Sequence, residues 1–258
     1  MRVLVINLTR ATERHKKMQA QLDAFGLPFE FLEATDGRHI TSEQRVLVDH
    51  TRRRCITPYP LTDNEIACWL SHQRALQTVE SGSESMIVIL EDDALLSPDF
   101  PHVLAAIEKH DRPFDVIDLH RNFKRGEIFV PVRPLIEGNA LGRIGYTHMN
   151  LTGYVISRAG ACKFLSYAKR FVHAVDKEMH RYWANGLDIY GLKNPIVAHA
   201  DEGHSYIDES RAQDRPVERE RYPNADAPYW QFRQFLSRVS DSVHKRIAFY
   251  CMNKTESV

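Results

Sequence analysis

What this sequence lacks narrows the reading before any motif is considered. It carries no excess charge of either sign, with 34 Lys and Arg against 34 Asp and Glu in 258 residues. Bulk charge therefore argues neither for nor against a polyanion, and no nucleic-acid partner is expected. Its four cysteines, Cys55, Cys68, Cys162 and Cys251, include no Cys-x-x-Cys pair. That spacing speaks against a disulfide framework or a structural zinc site and fits reduced thiols. There is no internal repeat, no low-complexity tract, and no apolar stretch near the ~20 residues of a membrane span. The N-terminal Val3-Leu-Val-Ile6 run is too short for the core of a signal peptide, so the expectation is a cytoplasmic protein whose membrane contact is peripheral. No glycine precedes Gly26, so no glycine-rich phosphate loop follows the first apolar run.

What is present centres on Met86-Ile-Val-Ile-Leu90, followed at once by Glu91, Asp92 and Asp93. A short unbroken apolar run reads as a buried strand of a parallel sheet. Ligands of open α/β sheets bind beyond the carboxyl ends of the strands. Three adjacent acids repel one another, and at such a strand end they suit a hard divalent cation holding a diphosphate. Taken alone, they equally suit a solvated loop in which Asp92 or Asp93 caps the next helix.

Along the chain, Val3–Ile6 reads as the first strand, the stretch through Glu13, Met18 and Leu22 as a helix, and Phe29–Ala34 as the next strand. This strand–helix–strand order is what a parallel sheet requires, and it puts Asn7, Arg10 and Arg14 near a strand end. Residues 38–62 are basic and poorly periodic. Thr62 followed by Glu65 fits a capping box, so a helix carrying Trp69 and His72 begins there. Ser97-Pro98 predicts a helix with Pro98 in its first position, and Phe114–Leu119 a strand. From His120 to Asn150 the glycines and prolines predict a long irregular loop, a natural lid. Thr152–Ser157 reads as a strand, Arg158–Leu165 as a helix, the stretch from Val175 through Trp183 as another helix, and Ile189-Tyr190 and Pro195–Ala198 as the last strands. Residues 229–258 differ in kind. Phe232, Phe235, Leu236, Val239, Val243, Ile247 and Tyr250 keep helical spacing, with Arg233, Arg238, Lys245 and Arg246 expected on the opposite side. A basic amphipathic helix of this kind lies on an anionic membrane surface or docks on its own domain. The expected division is a catalytic domain over 1–228 and this helix over 229–258.

Several stretches then coincide with one pattern. Val5-Ile-Asn-Leu8 with Arg10 and Arg14, Ala34-Thr-Asp-Gly37, Glu65-Ile-Ala-Cys-Trp-Leu-Ser-His72, Ile89-Leu-Glu-Asp-Asp-Ala94, Thr152-Gly-Tyr-Val-Ile-Ser157, Gly160-Ala161 and Val175-Asp176 occur in order over roughly residues 1–210. Together they resemble glycosyltransferase family 25, which comprises bacterial lipopolysaccharide and lipooligosaccharide sugar transferases, many of them β-galactosyltransferases, and animal collagen galactosyltransferases. The resemblance implies an α/β GT-A-like fold with a Rossmann-type, mixed but mainly parallel sheet flanked by helices. It also implies a UDP-sugar donor, Mn²⁺ or Mg²⁺, and a glycolipid acceptor met at the inner face of the inner membrane. It casts Glu91-Asp92-Asp93 as the Asp-x-Asp-type motif, with Asp93 the direct metal ligand and Glu91 on ribose or a metal-bound water. His199 or His204 is a further metal ligand, and the sequence does not choose between them. Asp176 is the base of an inverting transfer, preferred to Asp188 and Asp201. Asn7 and Arg14 are placed near uridine and phosphate, and His72 near the donor pocket. The alternatives are nucleotide-sugar binding without catalysis and a nucleotidyltransferase using the same acids.

Overall fold

A computed structural model describes residues 1–120, 128–145, 150–200, 222, 224 and 227–256. An eight-stranded sheet lies at its centre, in the order β2-β1-β3-β8-β5-β9-β7-β6. These strands are β1 (Val3–Asn7), β2 (Phe29–Glu33), β3 (Met86–Glu91), β5 (Val116–Asp118), β6 (Phe129–Ile136), β7 (Asn139–Ile144), β8 (Gly153–Ser157) and β9 (Ile189–Leu192). The pairings set β2, β1, β3, β5, β9 and β6 in one direction, with only β8 and β7 opposed. This is the mixed, mainly parallel sheet that the apolar runs imply. Two short strands, β4 (Ala94–Leu96) and β10 (Val197–His199), form a separate antiparallel pair.

Helices cover both faces, which explains why the strand sequences are continuously apolar rather than alternating. Side chains alternate across a strand. Val3, Val5, Val88 and Leu90 therefore pack against Met18 and Leu22 of α1 (Thr12–Phe25) and against Phe100, Val103, Leu104 and Ile107 of α5 (Phe100–Glu108). Leu4, Ile6, Ile87 and Ile89 pack against Trp69 and Leu76 of α4 (Asp63–Ser81) and Phe164 of α6 (Arg158–Tyr167). The Trp69 indole stacks between Phe164 and Phe171, with ring centroids 5.6 and 4.4 Å away.

The Thr62–Glu65 capping box forms as expected: the Glu65 amide donates to Thr62 Oγ1 at 3.1 Å, and the Thr62 amide to Glu65 Oε2 at 2.9 Å. Glycine at position 37 is demanded by close approach, since a Cβ there would lie 2.9 Å from the Cα of Asn64 in the first turn of α4.

Several expectations need correction. The 38–62 segment holds two short helices, α2 (Ser42–Arg45) and α3 (His50–Arg54), started by side-chain caps from Thr41 and Asp49. Helix α5 begins at Phe100 rather than Pro98, because Ser97 Oγ accepts the Asp99 amide and holds a turn there. The 120–150 stretch is largely a hairpin, β6–β7. Pro131 and Pro134 sit on the outermost strand beside two register shifts, where a missing N–H costs no ladder bond. Only 121–127 and 146–149 of that supposed loop lie outside the described residues. The 175–183 helix is two pieces, α7 (Val175–Met179) and α8 (Tyr182–Asn185). The element after β3 is a strand, so neither Asp92 nor Asp93 caps a helix. The last helix is α9 (Pro228–Glu256).

Candidate active site

The acids stand at the carboxyl end of β3, and strand alternation divides them. Glu91 continues the Ile87–Ile89 side and meets α4: its Oε1 lies 3.3 Å from His72 Nε2, while His72 Nδ1 is 3.0 Å from the Tyr154 hydroxyl. Burial raises the Glu91 pKa, the His72 hydrogen bond opposes that, and the charges of Asp93 and Asp92 add to it. Cys68, one turn before His72, completes a group in which Cys68, His72 and Glu91 each bring a ligand atom within 4.8 Å of the others. Burial first, then the charges of Glu91, Asp176, Glu65 and Asp93, hold the Cys68 thiol well above its usual range.

Asp92 turns the other way, toward β1 and α1. Asn7 Nδ2 donates to Asp92 Oδ2 at 2.8 Å, and Arg14 Nη1 reaches Asp92 Oδ1 at 3.2 Å and Asp93 Oδ2 at 3.1 Å. Asn7 lies on the same side of β1 as Val3 and Val5, which face α1. Its Oδ1 is 3.1 Å from Nδ1 of His15, whose ring stacks on Phe31. Burial raises the Asp92 pKa against the nearby Arg14 charge. Arg10, also expected at this strand end, pairs instead with Asp36 at 3.0 Å.

Asp93 is reached from the far end of the chain. Antiparallel pairing sets His199 opposite Ala94, so the imidazole Nε2 stands 3.3 Å from Asp93 Oδ2, and the Ala200 amide donates to the Asp93 carbonyl at 3.0 Å. Burial pushes the Asp93 carboxyl up, but His199 and Arg14 outweigh it and bring it below the usual value. The same hydrogen bond raises His199 to about 9, so a metal ion binding there would displace its proton. Asp93 Oδ1 is buried and has no hydrogen-bond partner among the described residues. An orphaned carboxylate oxygen beside an imidazole is a donor set that suits a divalent cation.

Asp176 lies in the first turn of α7, its Oδ1 accepting the Lys177 amide at 2.7 Å. Its charge, with those of Glu91 and Asp93, raises the Cys68 thiol. Asp188, one of the weaker candidates, is engaged by Arg143 at 2.5 Å. Asp201 and His204 lie outside the described residues. Sequence reasoning missed Tyr154, whose hydroxyl positions His72, and the buried His180–Asp118 pair, 3.0 Å apart, whose imidazole also donates from Nδ1 to the Asp176 carbonyl, 2.8 Å away. The available signal was polar residues on otherwise apolar strands: Asp118 closes the Val116–Ile117 run, and Tyr154 lies within β8.

A family described as glycosyltransferase family 25 (LPS biosynthesis protein) matches residues 1–179. A glycosyltransferase 25 family member from Aedes aegypti is 32% identical over 168 residues, covering 63% of this chain and 27% of that one. Procollagen galactosyltransferase 1 of Danio rerio is 27% identical over 176 residues, covering 63% of this chain and 28% of that one. This chain thus spans little more than a quarter of the length of those relatives. A solved glycosyltransferase involved in glycosylation of the major capsid of PBCV-1 aligns over 82% of this chain and 98% of its own, with 12% identity and a TM-score of 0.43. On the family match over residues 1–179, the chain belongs to glycosyltransferase family 25.

Proposed function

We propose that this protein transfers a hexose, galactose in the leading case, from a UDP-sugar to a lipooligosaccharide or lipopolysaccharide acceptor, with inversion at the anomeric carbon. The observation that carries this reading is the gathering of Asn7, Arg14, Asp92 and Asp93 at the carboxyl ends of the adjacent parallel strands β1 and β3, where α/β sheets bind ligands. Galactose is supported by the name of the Danio rerio relative, and the acceptor class by the description of the family.

In this reading Arg14 offers its guanidinium to the donor diphosphate, a group it matches in charge and shape. Asn7 and Asp92 orient the uridine end, and His72 holds Glu91 for the ribose or a water. Asp93 and His199 would hold Mn²⁺ or Mg²⁺, which when bound neutralises charge on the leaving diphosphate. Asp176 takes the proton of the acceptor hydroxyl. One observation favours a second reading, nucleotide-sugar binding without transfer: Arg14 alone already bridges Asp92 and Asp93.

Calorimetric titration with UDP-galactose and UDP-glucose, each with Mn²⁺ and with excess chelator, separates the two. Transfer predicts metal-dependent binding that Asp93→Ala abolishes. Binding that persists in chelator without turnover selects the second reading, and no binding of any uridine nucleotide overturns both.

A further inference from the structure

Helix α9 has two opposite faces, and the domain uses the unexpected one. Gln234 is buried with its amide on the Arg54 carbonyl at 3.3 Å, Asp241 accepts from Arg181 at 2.7 Å, and Ala248, Phe249 and Met252 pack against the core. At 3.6 residues per turn these positions share one side. Phe232, Leu236, Val239, Val243, Ile247 and Tyr250, separated by three or four residues, share the side opposite. They face solvent, with Phe232 58%, Ile247 57% and Tyr250 69% exposed.

A contiguous exposed apolar stripe of this length marks a surface that something covers. The charge around it identifies what. Arg233 and Arg246 flank the stripe on its two edges and Arg238 lies farther round, all exposed. Asp241 is the only acid between 229 and 254, and it is turned into the domain against Arg181. No helix among the described residues is long and apolar enough to cross a membrane, so the stripe lies along a surface rather than through one.

We propose that α9 is an in-plane membrane-docking element, its Phe232–Tyr250 stripe bedded at the acyl boundary of an anionic bilayer and its arginines at the headgroup phosphates. A second copy fits less well: pairing two such stripes brings the arginines of both copies together with no acid on that face to meet them. The inference is read from α9 alone and stands apart from the transferase reading.

The test is co-sedimentation of the full chain with phosphatidylglycerol-containing vesicles and with phosphatidylcholine vesicles, beside sedimentation velocity without lipid. Binding is expected to the anionic vesicles, to weaken with salt, and to fall about tenfold or more in Phe232→Ser/Ile247→Ser, which removes two anchoring side chains. Both positions are solvent-exposed, so the melting temperature should not move. Arg233→Glu/Arg246→Glu is expected to lower partition to anionic vesicles by roughly fivefold or more per charge while leaving phosphatidylcholine unaffected. Failure to sediment with anionic vesicles, or equal sedimentation of wild type and both variants, overturns the proposal. So does a lipid-free dimer that the Phe232→Ser/Ile247→Ser substitution dissolves, which assigns the stripe to a second copy.

Discussion

Helices α4 and α9 are both long and both amphipathic, yet they use their apolar sides in opposite ways. In α4, Ile66, Trp69, Leu76 and Val79 are buried against the sheet and α6. In α9 the corresponding stripe is exposed, while the polar residues Gln234 and Asp241 and the C-terminal Ala248, Phe249 and Met252 make the contact. Periodicity reports that a helix has an apolar side; it does not report which surface covers that side. The partner decides. For α4 it is a sheet face whose side chains alternate toward it. For α9 the domain offers Arg181 and the Arg54 carbonyl, groups that a polar face satisfies.

The largest expected effect is on α4: Trp69→Ala removes an indole stacked between two rings and hydrogen-bonded through Nε1 to the His173 carbonyl at 2.7 Å. It should cost about 3–5 kcal/mol in denaturant unfolding, and a loss under 1 kcal/mol would mean the α4 contact is not the core of the fold.

Next comes the pair behind α7, the short helix packed on α4. Burial works against a charge on His180, but the hydrogen bond and charge of Asp118 outweigh it and raise its pKa above 6.5. A raised folded-state value means a stabilising contribution fully present below the unfolded value of about 6.5 and lost as pH rises through the folded one. Asp118→Asn should lower stability by about 3 kcal/mol at acidic pH and remove that decline above neutrality. A variant whose stability keeps the wild-type pH profile would show that the pair does not titrate as described.

Smaller still is the cap of α4, where Thr62→Ala should cost about 1 kcal/mol, read from the same unfolding curves. The smallest effect belongs to α9, where Phe232→Ala or Val243→Ala on the exposed stripe should change stability by no more than about 0.5 kcal/mol. A loss comparable to that of Trp69 would erase the contrast between the two helices.

Much of the sheet was legible because local signals agreed there. The β1–α1–β2 order, the capping box of α4 and the β3 run each follow from spacing that one strand or one helix satisfies alone. The β6–β7 hairpin was hidden because Pro131 and Pro134 read as loop residues, and only their edge position makes them tolerable in a strand. Within the site, Asn7, Arg14, Glu91, Asp92 and Asp93 were legible as residues at strand ends. That Glu91 would turn to His72 and Asp92 to Asn7 follows from strand alternation once the helices on each face are known.

By itself, the sequence determined an α/β chain with an acidic strand end, because hydrophobic period and helix capping are local properties of the chain. It also carried the order of motifs by which the family is recognised. Only the tertiary structure decided that His199, more than a hundred residues along, faces Asp93 through the β4–β10 pair, that His180 closes on Asp118, and that α9 turns its apolar stripe outward. Those outcomes depend on which distant surfaces meet, and no local periodicity encodes them.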